Sequence, residues 1–413
     1  MNVTTENVLL IGSVLLFLSI IAGKAGYKFG IPVLLLFLSV GMIFGSDGFG
    51  IEFNSPYMAQ FVGLVSLSVI LFSGGLDTKI SEVRPVLGPG LTLASLGVLL
   101  TALFTGTIIY FITNIYATFV TFTLPESMLL ASIMSSTDSA SVFSILRSKG
   151  VSLKNNIRPL LELESGSNDP MAFMLMIIFL KMSMSGEVGV FSFLVSLITQ
   201  FTIGVICGYG VARATLFFIK KINFDNKSLF HVLLLASLFF TFSFTDLIGG
   251  NGFLAVYIAG LAIGNSKNQC DESVYTFFDG IAWLSQLIMF LTLGLLVYPT
   301  ELITLEIIGI GLAISFAIII ISRPFSVFIS LLPFKSIDNN TKHYISWIGL
   351  RGAVPIVFAT YPLLAGQPNA GIMFNIVFFA TIVSLLVQGT TVNVVAAKLG
   401  LTGEKLDKYI SKK

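Results

Sequence analysis

The sequence predicts an all-α polytopic membrane protein with about thirteen transmembrane helices. Of its 413 residues, 55% are hydrophobic and only 11% are charged, and the mean hydropathy is +0.94. Soluble domains are about 45–50% apolar and about 25% charged, so this composition excludes a water-soluble fold. The net charge of +2 offers no basic face to nucleic acid. Because a span needs about 20 apolar residues, the chain fits one membrane domain without a large soluble enzyme domain.

Thirteen apolar runs, separated by short polar or Gly/Pro breaks, define the predicted spans. The runs at 31–46 and 250–265 are short for a full crossing, which indicates broken or tilted helices. The last span is followed by a short basic segment, so we predict a transmembrane domain over 1–398 and a cytoplasmic tail over 399–413. The predicted spans are 6–22, 31–46, 57–75, 86–112, 126–146, 158–181, 189–212, 229–246, 250–265, 280–297, 304–332, 344–364 and 371–397.

Lysine and arginine are distributed unevenly between the two sides of the predicted membrane domain. Of the 23, twenty fall in the loops and the C-terminal tail of one side, and Lys181 alone falls on the other. Arg323 and Arg351 lie within spans. Because positively charged loops stay in the cytoplasm, the sequence predicts an odd number of spans in the cell (inner) membrane. The N-terminus is then outside and the C-terminus is in the cytoplasm.

The most informative charge within a span is Asp169, in the segment LELESGSNDPMAF (161–173). An ionisable group inside a bilayer is costly and is by default a functional-site hypothesis. On a helix, Ser165 lies one turn before Asp169 on the same face. Pro170 cannot donate a backbone hydrogen bond, which frees the carbonyl of Gly166. These oxygen atoms suit a hard monovalent cation, and the same carboxylate can hold a proton instead, so one acid can serve for exchange.

A second carboxylate, Asp138, lies in ASIMSSTDSASVF (131–143), a run rich in hydroxyl groups. Packing of small residues between helices explains the serines but not the carboxylate. A span breaks at membrane depth only where other groups satisfy the backbone, and we predict the break at Thr137 and Asp138. Arg351 lies in a similar interruption, GLRGAVPIVF (349–358). Matching interruptions in two halves of a chain point to an inverted-repeat transporter with its site at the midplane.

The charges within the spans also predict a stoichiometry. A buried guanidinium needs a partner, and we predict that Arg351 pairs with Glu164. Arg323 lies nearer a span end, where its side chain can reach the interface. Together with Asp138 and Asp169, these residues leave one negative charge for a cation or a proton to neutralise. No lysine lies deep in a span, which favours one-for-one, electroneutral exchange on which the membrane potential does no work.

These segments resemble the NhaP-type members of the cation/proton antiporter 1 family, most closely its bacterial potassium/proton antiporters. The resemblance implies a thirteen-helix NhaA-like fold with inverted repeats and two broken, crossing helices. It also implies interleaved dimerisation and core subdomains and assembly as a homodimer in the lipid bilayer. It rests on TD in span five, ESGSND in span six and GLRGAVP in span twelve, and extends through LFSGGLDT (71–78), GNGFLAVYIAGLAIGN (250–265), FDGIAWLSQLIMFLTLGLLVYP (278–299) and SWIGLRGAVPI (346–356).

Carried over residue by residue, the resemblance implies a site for a monovalent cation and a proton. Asp169 resembles the aspartate that binds both ions, and its neighbour is the asparagine that electroneutral members have where electrogenic members have a second aspartate. The implied site residues are Asp169, Asp138, Thr137, Ser165 and Asn168.

The family pattern also covers the buried charges, and this chain departs from it in two places. Glu164 and Arg351 resemble a structural ion pair between core helices. Many relatives have Asp or Glu before the GG of span three, whereas this chain has Ser73, so the choice between K⁺ and Na⁺ stays open. Ser73 and Arg323 are accessory candidates. Relatives often carry cytoplasmic regulatory domains after the last span. Since this sequence ends at Lys413, either regulation by such a domain is not expected or the sequence has been shortened.

The sequence therefore predicts an electroneutral antiporter that exchanges K⁺, and also Na⁺, for H⁺ by alternating access, with cation and proton competing for Asp169. A Na⁺/H⁺ antiporter of the same family is the alternative, because oxygen ligands serve both ions. A cation channel is more remote, since selectivity rings usually need several identical subunits around an axis and these polar groups lie in one chain. No enzyme activity and no cofactor are expected, because the spans contain no HExxH and no Ser/His or Ser/Lys pair.

Overall fold

The computed structural model describes residues 5–29, 32–115, 120–138, 141–142, 145–146, 151–185, 190–221, 227–266 and 271–403. In this part of the chain, every predicted span contains helix, and seven helices are long and apolar enough to cross a membrane. In chain order the helices that matter below are α1 (Thr5–Phe29), α2 (Val33–Phe44), α3 (Pro56–Asp77), α4 (Ile80–Ile115), α5 (Leu124–Ile133), α6 (Ile157–Ser185), α7 (Val190–Lys221), α8 (Lys227–Leu247), α9 (Gly252–Gly264), α10 (Glu272–Leu296), α11 (Leu305–Ser330), α12 (Asn339–Trp347), α13 (Ala353–Leu364) and α14 (Ala370–Lys398).

Two predicted segments fall partly outside the described residues. The second half of the span at 126–146 is described only at 141–142 and 145–146, and the predicted tail at 399–413 is described only as far as residue 403.

Two of the predicted spans are broken and meet at their breaks, which confirms the predicted architecture. The first break follows α5, and the second separates α12 from α13. The backbone amide of Asp138 donates to the carbonyl of Leu350 at 2.7 Å. The Arg351 guanidinium donates to the carbonyl of Ser136 at 2.6 Å. Each break therefore supplies hydrogen-bond partners to the other, as backbone at membrane depth requires.

The outer ends of the broken helices are also held by side chains. At the start of α5, Thr123 and Glu126 form a capping box, and the Glu126 carboxylate accepts a hydrogen bond from Gln367 at 2.6 Å. At the start of α12, the Asp338 carboxylate accepts from the amide and the hydroxyl of Thr341. The hydroxyl hydrogen bond is the main cause that holds the pKa of Asp338 below its usual value. Both half-helices are thus fixed at the ends away from the crossing.

Helices α4 and α11 are not regular throughout. A π-helical segment occupies Leu93–Gly97 in α4, and another occupies Ala317–Ser322 in α11. A π turn takes up more residues than an α turn, so side chains beyond it point in directions that a period of 3.6 residues does not predict. The π segment of α11 ends immediately before Arg323.

Candidate functional site

The Asp169 carboxylate lies on α6 and faces the break after α5. The residue is 6% exposed, and its Oδ1 accepts a hydrogen bond from the hydroxyl of Ser136. In the sequence, Ser136 is one of several hydroxyl residues of the 131–143 run and nothing distinguishes it from the others. Its direct contact with Asp169 is a site interaction that sequence reasoning missed.

Three other predicted site residues lie at the same crossing. The Ser165 hydroxyl donates to the carbonyl of Thr137 at 3.0 Å. The Asn168 amide donates to the Thr137 hydroxyl at 2.5 Å and to the Thr137 carbonyl at 3.2 Å. The Oδ1 atom of Asn168 is buried and has no hydrogen-bond partner within the described residues. The structure thus brings Thr137, Ser165, Asn168 and Asp169 together, with hydroxyl, amide and carbonyl groups beside one carboxylate.

The fifth predicted site residue, Asp138, also holds the backbone at the break through hydrogen bonds. Its Oδ1 accepts from the backbone amide of Ser141 at 3.1 Å, and its Oδ2 accepts from the Ser141 hydroxyl at 2.5 Å. These hydrogen bonds cap the chain where helical structure resumes after the break. Asp138 also lines the cavity that reaches Asp169, so it lies at the site while its carboxylate is engaged in the cap.

A cavity of about 590 Å³ extends from Asp169 to an exposed rim. Thr137, Asp138 and Ser165 line its inner part, and Ser73 lies in its wall. The rim carries charged side chains, several of them on the segments that the sequence places in the cytoplasm: Asp77, Lys79, Glu82, Arg158, Glu162 and Asp279. The buried carboxylate is therefore open to water and ions from one side of the protein.

A cluster of aromatic rings begins on α6 one helical turn beyond Asp169. Phe173 lies one helical turn after Asp169, and its ring centroid lies 5.1 Å from that of Phe253 and 5.5 Å from that of Phe358. Tyr361 completes the cluster, with a centroid distance of 5.3 Å to Phe173. Phe173 and Tyr361 in turn line a second cavity of about 680 Å³. The cluster thus borders the second cavity, whereas Asp169 is among the lining residues of the first.

The predicted ion pair of Glu164 and Arg351 is wrong. Glu164 pairs with Arg323, whose Nη2 lies 2.5 Å from Oε1, and the two side chains are 1% and 2% exposed. Arg323 is therefore buried and does not extend to the interface. The π segment before it turns its side chain toward α6, and neither spacing nor hydropathy could have predicted that direction.

Arg351 has a different role from the one that was predicted. Its guanidinium hydrogen-bonds the carbonyl of Ser136, and its backbone amide donates to the hydroxyl of Ser384 at 3.0 Å. The Ser136 side chain in turn contacts Asp169. Arg351 therefore supports the residue that orients the buried carboxylate.

The comparisons with known proteins agree with this geometry. The family described as "Sodium/hydrogen exchanger, transmembrane" matches residues 13–398. The chain belongs to the sodium/hydrogen exchanger family. It is 38% identical over 392 residues to the "K(+)/H(+) antiporter NhaP2" of Shewanella sp. (strain ANA-3), an alignment that covers 94% of this chain and 66% of that protein. It is 39% identical over 402 residues to the "K(+)/H(+) antiporter NhaP" of Alkalimonas amylolytica, covering 97% and 68%.

Solved structures show the same fold. The sodium proton antiporter MjNhaP1 from Methanocaldococcus jannaschii matches with a TM-score of 0.81 and 24% identity, covering 96% of this chain and 99% of that one. The chain of this exchanger-family protein spans just under two thirds of the Shewanella relative's length.

The contact between the two breaks predicts a sensitive position in this exchanger-family protein. A methyl group at Gly352 would overlap Oδ2 of Asp138 and lie 3.0 Å from its Cβ and Cγ. We expect Gly352→Ala to lower the free energy of unfolding by about 1–3 kcal/mol, as overpacking does. Thermal unfolding in detergent measures this effect.

The matched control is Gly371→Ala in α14, where a Cβ would meet no heavy atom within 4 Å. That variant is expected to keep the wild-type melting temperature. If Gly352→Ala and Gly371→Ala have the same melting temperature, the two breaks are not closely packed at Gly352.

Proposed function

We propose that the protein is an electroneutral monovalent cation/proton antiporter that exchanges K⁺ for H⁺ by alternating access. One observation carries the proposal. A single buried carboxylate, Asp169, lies among hydroxyl, amide and carbonyl groups at the inner end of a cavity, and an aromatic cluster begins one helical turn beyond it on α6. Such a carboxylate binds a partly dehydrated cation or a proton, and the two compete for it. The K(+)/H(+) antiporters among the relatives support potassium as the cation.

The charges around the site support one-for-one exchange. Glu164 and Arg323 neutralise each other in their buried pair. In the sum of charges within the spans Arg351 offsets Asp138, without an ion pair between these two described residues, so the Asp169 carboxylate remains as the charge that a cation or a proton balances. The neighbouring Asn168 donates hydrogen bonds to Thr137 and adds no charge. A carrier whose charge is the same with either ion is not driven by the membrane potential, whereas each pH unit of gradient supplies about 1.36 kcal/mol.

The orientation and assembly belong to the same proposal. The cavity rim includes Lys79 and Arg158, and the excess of positive residues on that side supports a cytoplasmic opening. We place the protein in the inner membrane with its N-terminus outside and its C-terminus in the cytoplasm, as a homodimer in the lipid bilayer. The second cavity, which the aromatic cluster borders, then faces outward, and motion of a core subdomain against a dimerisation subdomain exposes Asp169 to it.

The test is exchange by the purified protein in proteoliposomes that carry an acid-inside pH gradient and a pH-sensitive dye. Addition of K⁺ outside is expected to dissipate the gradient at a rate that a clamped membrane potential does not change. Comparison with Na⁺ and Li⁺ gives the selectivity. Na⁺ remains the alternative substrate, because the ligands are oxygen atoms that serve both ions and because the solved neighbour is a sodium proton antiporter.

Two outcomes contradict the proposal. If none of the three cations accelerates the loss of the pH gradient, the protein is not a cation/proton antiporter. A rate that follows the imposed potential and is accompanied by current would indicate an electrogenic carrier or a channel in place of electroneutral exchange.

A further inference from the structure

Tyr257 of α9 lies directly against the segment of α6 that carries Asp169. A Cβ atom at Gly166 would lie 2.6 Å from Cε2 of the Tyr257 ring, 3.0 Å from Cζ and 3.2 Å from the hydroxyl oxygen. Only a residue without a side chain leaves room for the ring at this position. The phenol therefore lies over the turn between Ser165 and Asp169, and it lines the same cavity.

The hydroxyl of Tyr257 is buried and makes no hydrogen bond of ordinary geometry within the described residues. The residue is 3% exposed, and the side chains of Thr78 and Ser167 are its polar neighbours. The nearby Thr78 hydroxyl donates to the carbonyl of Gly74 on its own helix at 2.6 Å. A buried polar group without a well-formed hydrogen bond is costly, by about 1–3 kcal/mol when it has none. Because this hydroxyl lies on the wall of the cavity that reaches Asp169, it is available to a ligand there.

Helix α9, which carries Tyr257, contacts α6 at a residue before Asp169 and at a residue after it. The Asn251 amide donates to the carbonyl of Pro170 at 2.9 Å, and its oxygen accepts from the amide of Leu254 at 2.8 Å at the start of α9. Helix α9 is thus held to α6 at Pro170 and packs on it at Gly166. The ring packing depends on the shape of the side chain, whereas the hydroxyl adds nothing to it, so the two contributions can be separated by experiment.

We propose that the Tyr257 hydroxyl contacts the transported monovalent cation, directly or through one of its water molecules, between the cavity rim and Asp169. This inference rests on the proposed antiport function and adds a substrate-binding residue to it. The phenol oxygen accepts the positive ion or donates to its hydration water, so part of the hydration shell is replaced before the carboxylate is reached. Tyr257 then contributes to the affinity for the cation, while the proton still exchanges at Asp169.

The test is Tyr257→Phe, which keeps the ring and removes only the oxygen. We expect the KM for K⁺ to rise about three- to tenfold, in line with the net loss of one ordinary hydrogen bond, while the maximal exchange rate changes less than about twofold. The midpoint of thermal stabilisation by KCl, measured in detergent against choline chloride, is expected to rise by the same factor. That second measurement requires no transport.

Tyr344→Phe is the matched control, because the Tyr344 hydroxyl is also buried and without a partner in the described part of the chain but lies away from the cavity. It should leave the KM and the KCl midpoint unchanged. The proposal is overturned if Tyr257→Phe leaves both quantities at wild-type values, or if it lowers only the maximal rate. Either result leaves wild-type antiport intact, so failure of this inference is distinct from failure of the proposed function.

Discussion

Replacing Asp169 with asparagine is expected to abolish cation/proton exchange while the protein still folds. Asparagine has nearly the same shape, and its Oδ1 can still accept the hydrogen bond that Ser136 donates. It cannot carry a negative charge, however, and it can neither release a proton nor balance a cation. We expect exchange in proteoliposomes to fall by at least about 100-fold, to the level of protein-free vesicles, with an unchanged elution profile in size-exclusion chromatography.

The control for this variant is Asp47→Asn, the same chemical change in an exposed loop. Asp47 accepts hydrogen bonds from the amide and the hydroxyl of Thr300, at 2.9 Å and 2.7 Å, and lines neither cavity. Its replacement should leave most of the exchange activity. In the wild type, competition for one carboxylate also predicts that the KM for K⁺ rises as the pH falls. Near-normal exchange by the Asp169 variant would reject the central role of this carboxylate.

Glu164→Gln is expected to lower the stability of the fold strongly. It removes the partner of Arg323, whose side chain is 2% exposed, and leaves a buried guanidinium without a countercharge. Breaking one partner of a buried ion pair typically costs about 3–5 kcal/mol. The prediction is a large drop in the melting temperature in detergent and poor recovery of folded protein.

A matched control lies two residues away on the same helix. Glu162 pairs with Arg158 at 2.8 Å, but the two side chains are 33% and 59% exposed, and such surface pairs contribute about 0–1 kcal/mol. Glu162→Gln should therefore melt close to the wild type. Combining Glu164→Leu with Arg323→Met removes both charges and should recover much of the lost stability. If Glu164→Gln and Glu162→Gln melt alike, the buried pair does not have the assigned importance.

Much of the fold could be predicted from the sequence, because hydrophobic length and loop charge are strong signals in membrane proteins. The two broken spans were also predictable. A run of hydroxyl residues around Thr137 and the glycines beside Arg351 supply what a broken helix needs. The same reasoning located Asp169, since a carboxylate beside proline within an apolar run has few structural explanations.

The remaining site features depend on directions and contacts that the sequence does not encode locally. The predicted partner of Glu164 is wrong, because a π segment ends immediately before Arg323. It interrupts the period of 3.6 residues from which the direction of the Arg323 side chain would be predicted. The aromatic cluster unites side chains from α6, α9 and α13, and in a chain with 38 phenylalanines none of its members stands out. Tyr257 lies within an apolar run, and only the position of its hydroxyl on the cavity wall in the structure separates it from ordinary packing.

The crossing of the two broken helices has an electrostatic consequence. Helix termini carry partial charges, positive at the N-terminal end and negative at the C-terminal end. Asp138 places its negative charge on the amide of Ser141, and Arg351 places its positive charge on the carbonyl of Ser136. Each of these two charges thus meets a buried peptide group at a break, and protonating Asp138 would weaken its hydrogen bonds to Ser141. The Asp169 carboxylate does not stabilise a helix end in this way. In the proposed exchange cycle its charge can therefore change without disturbing the hydrogen bonds that hold the two breaks together.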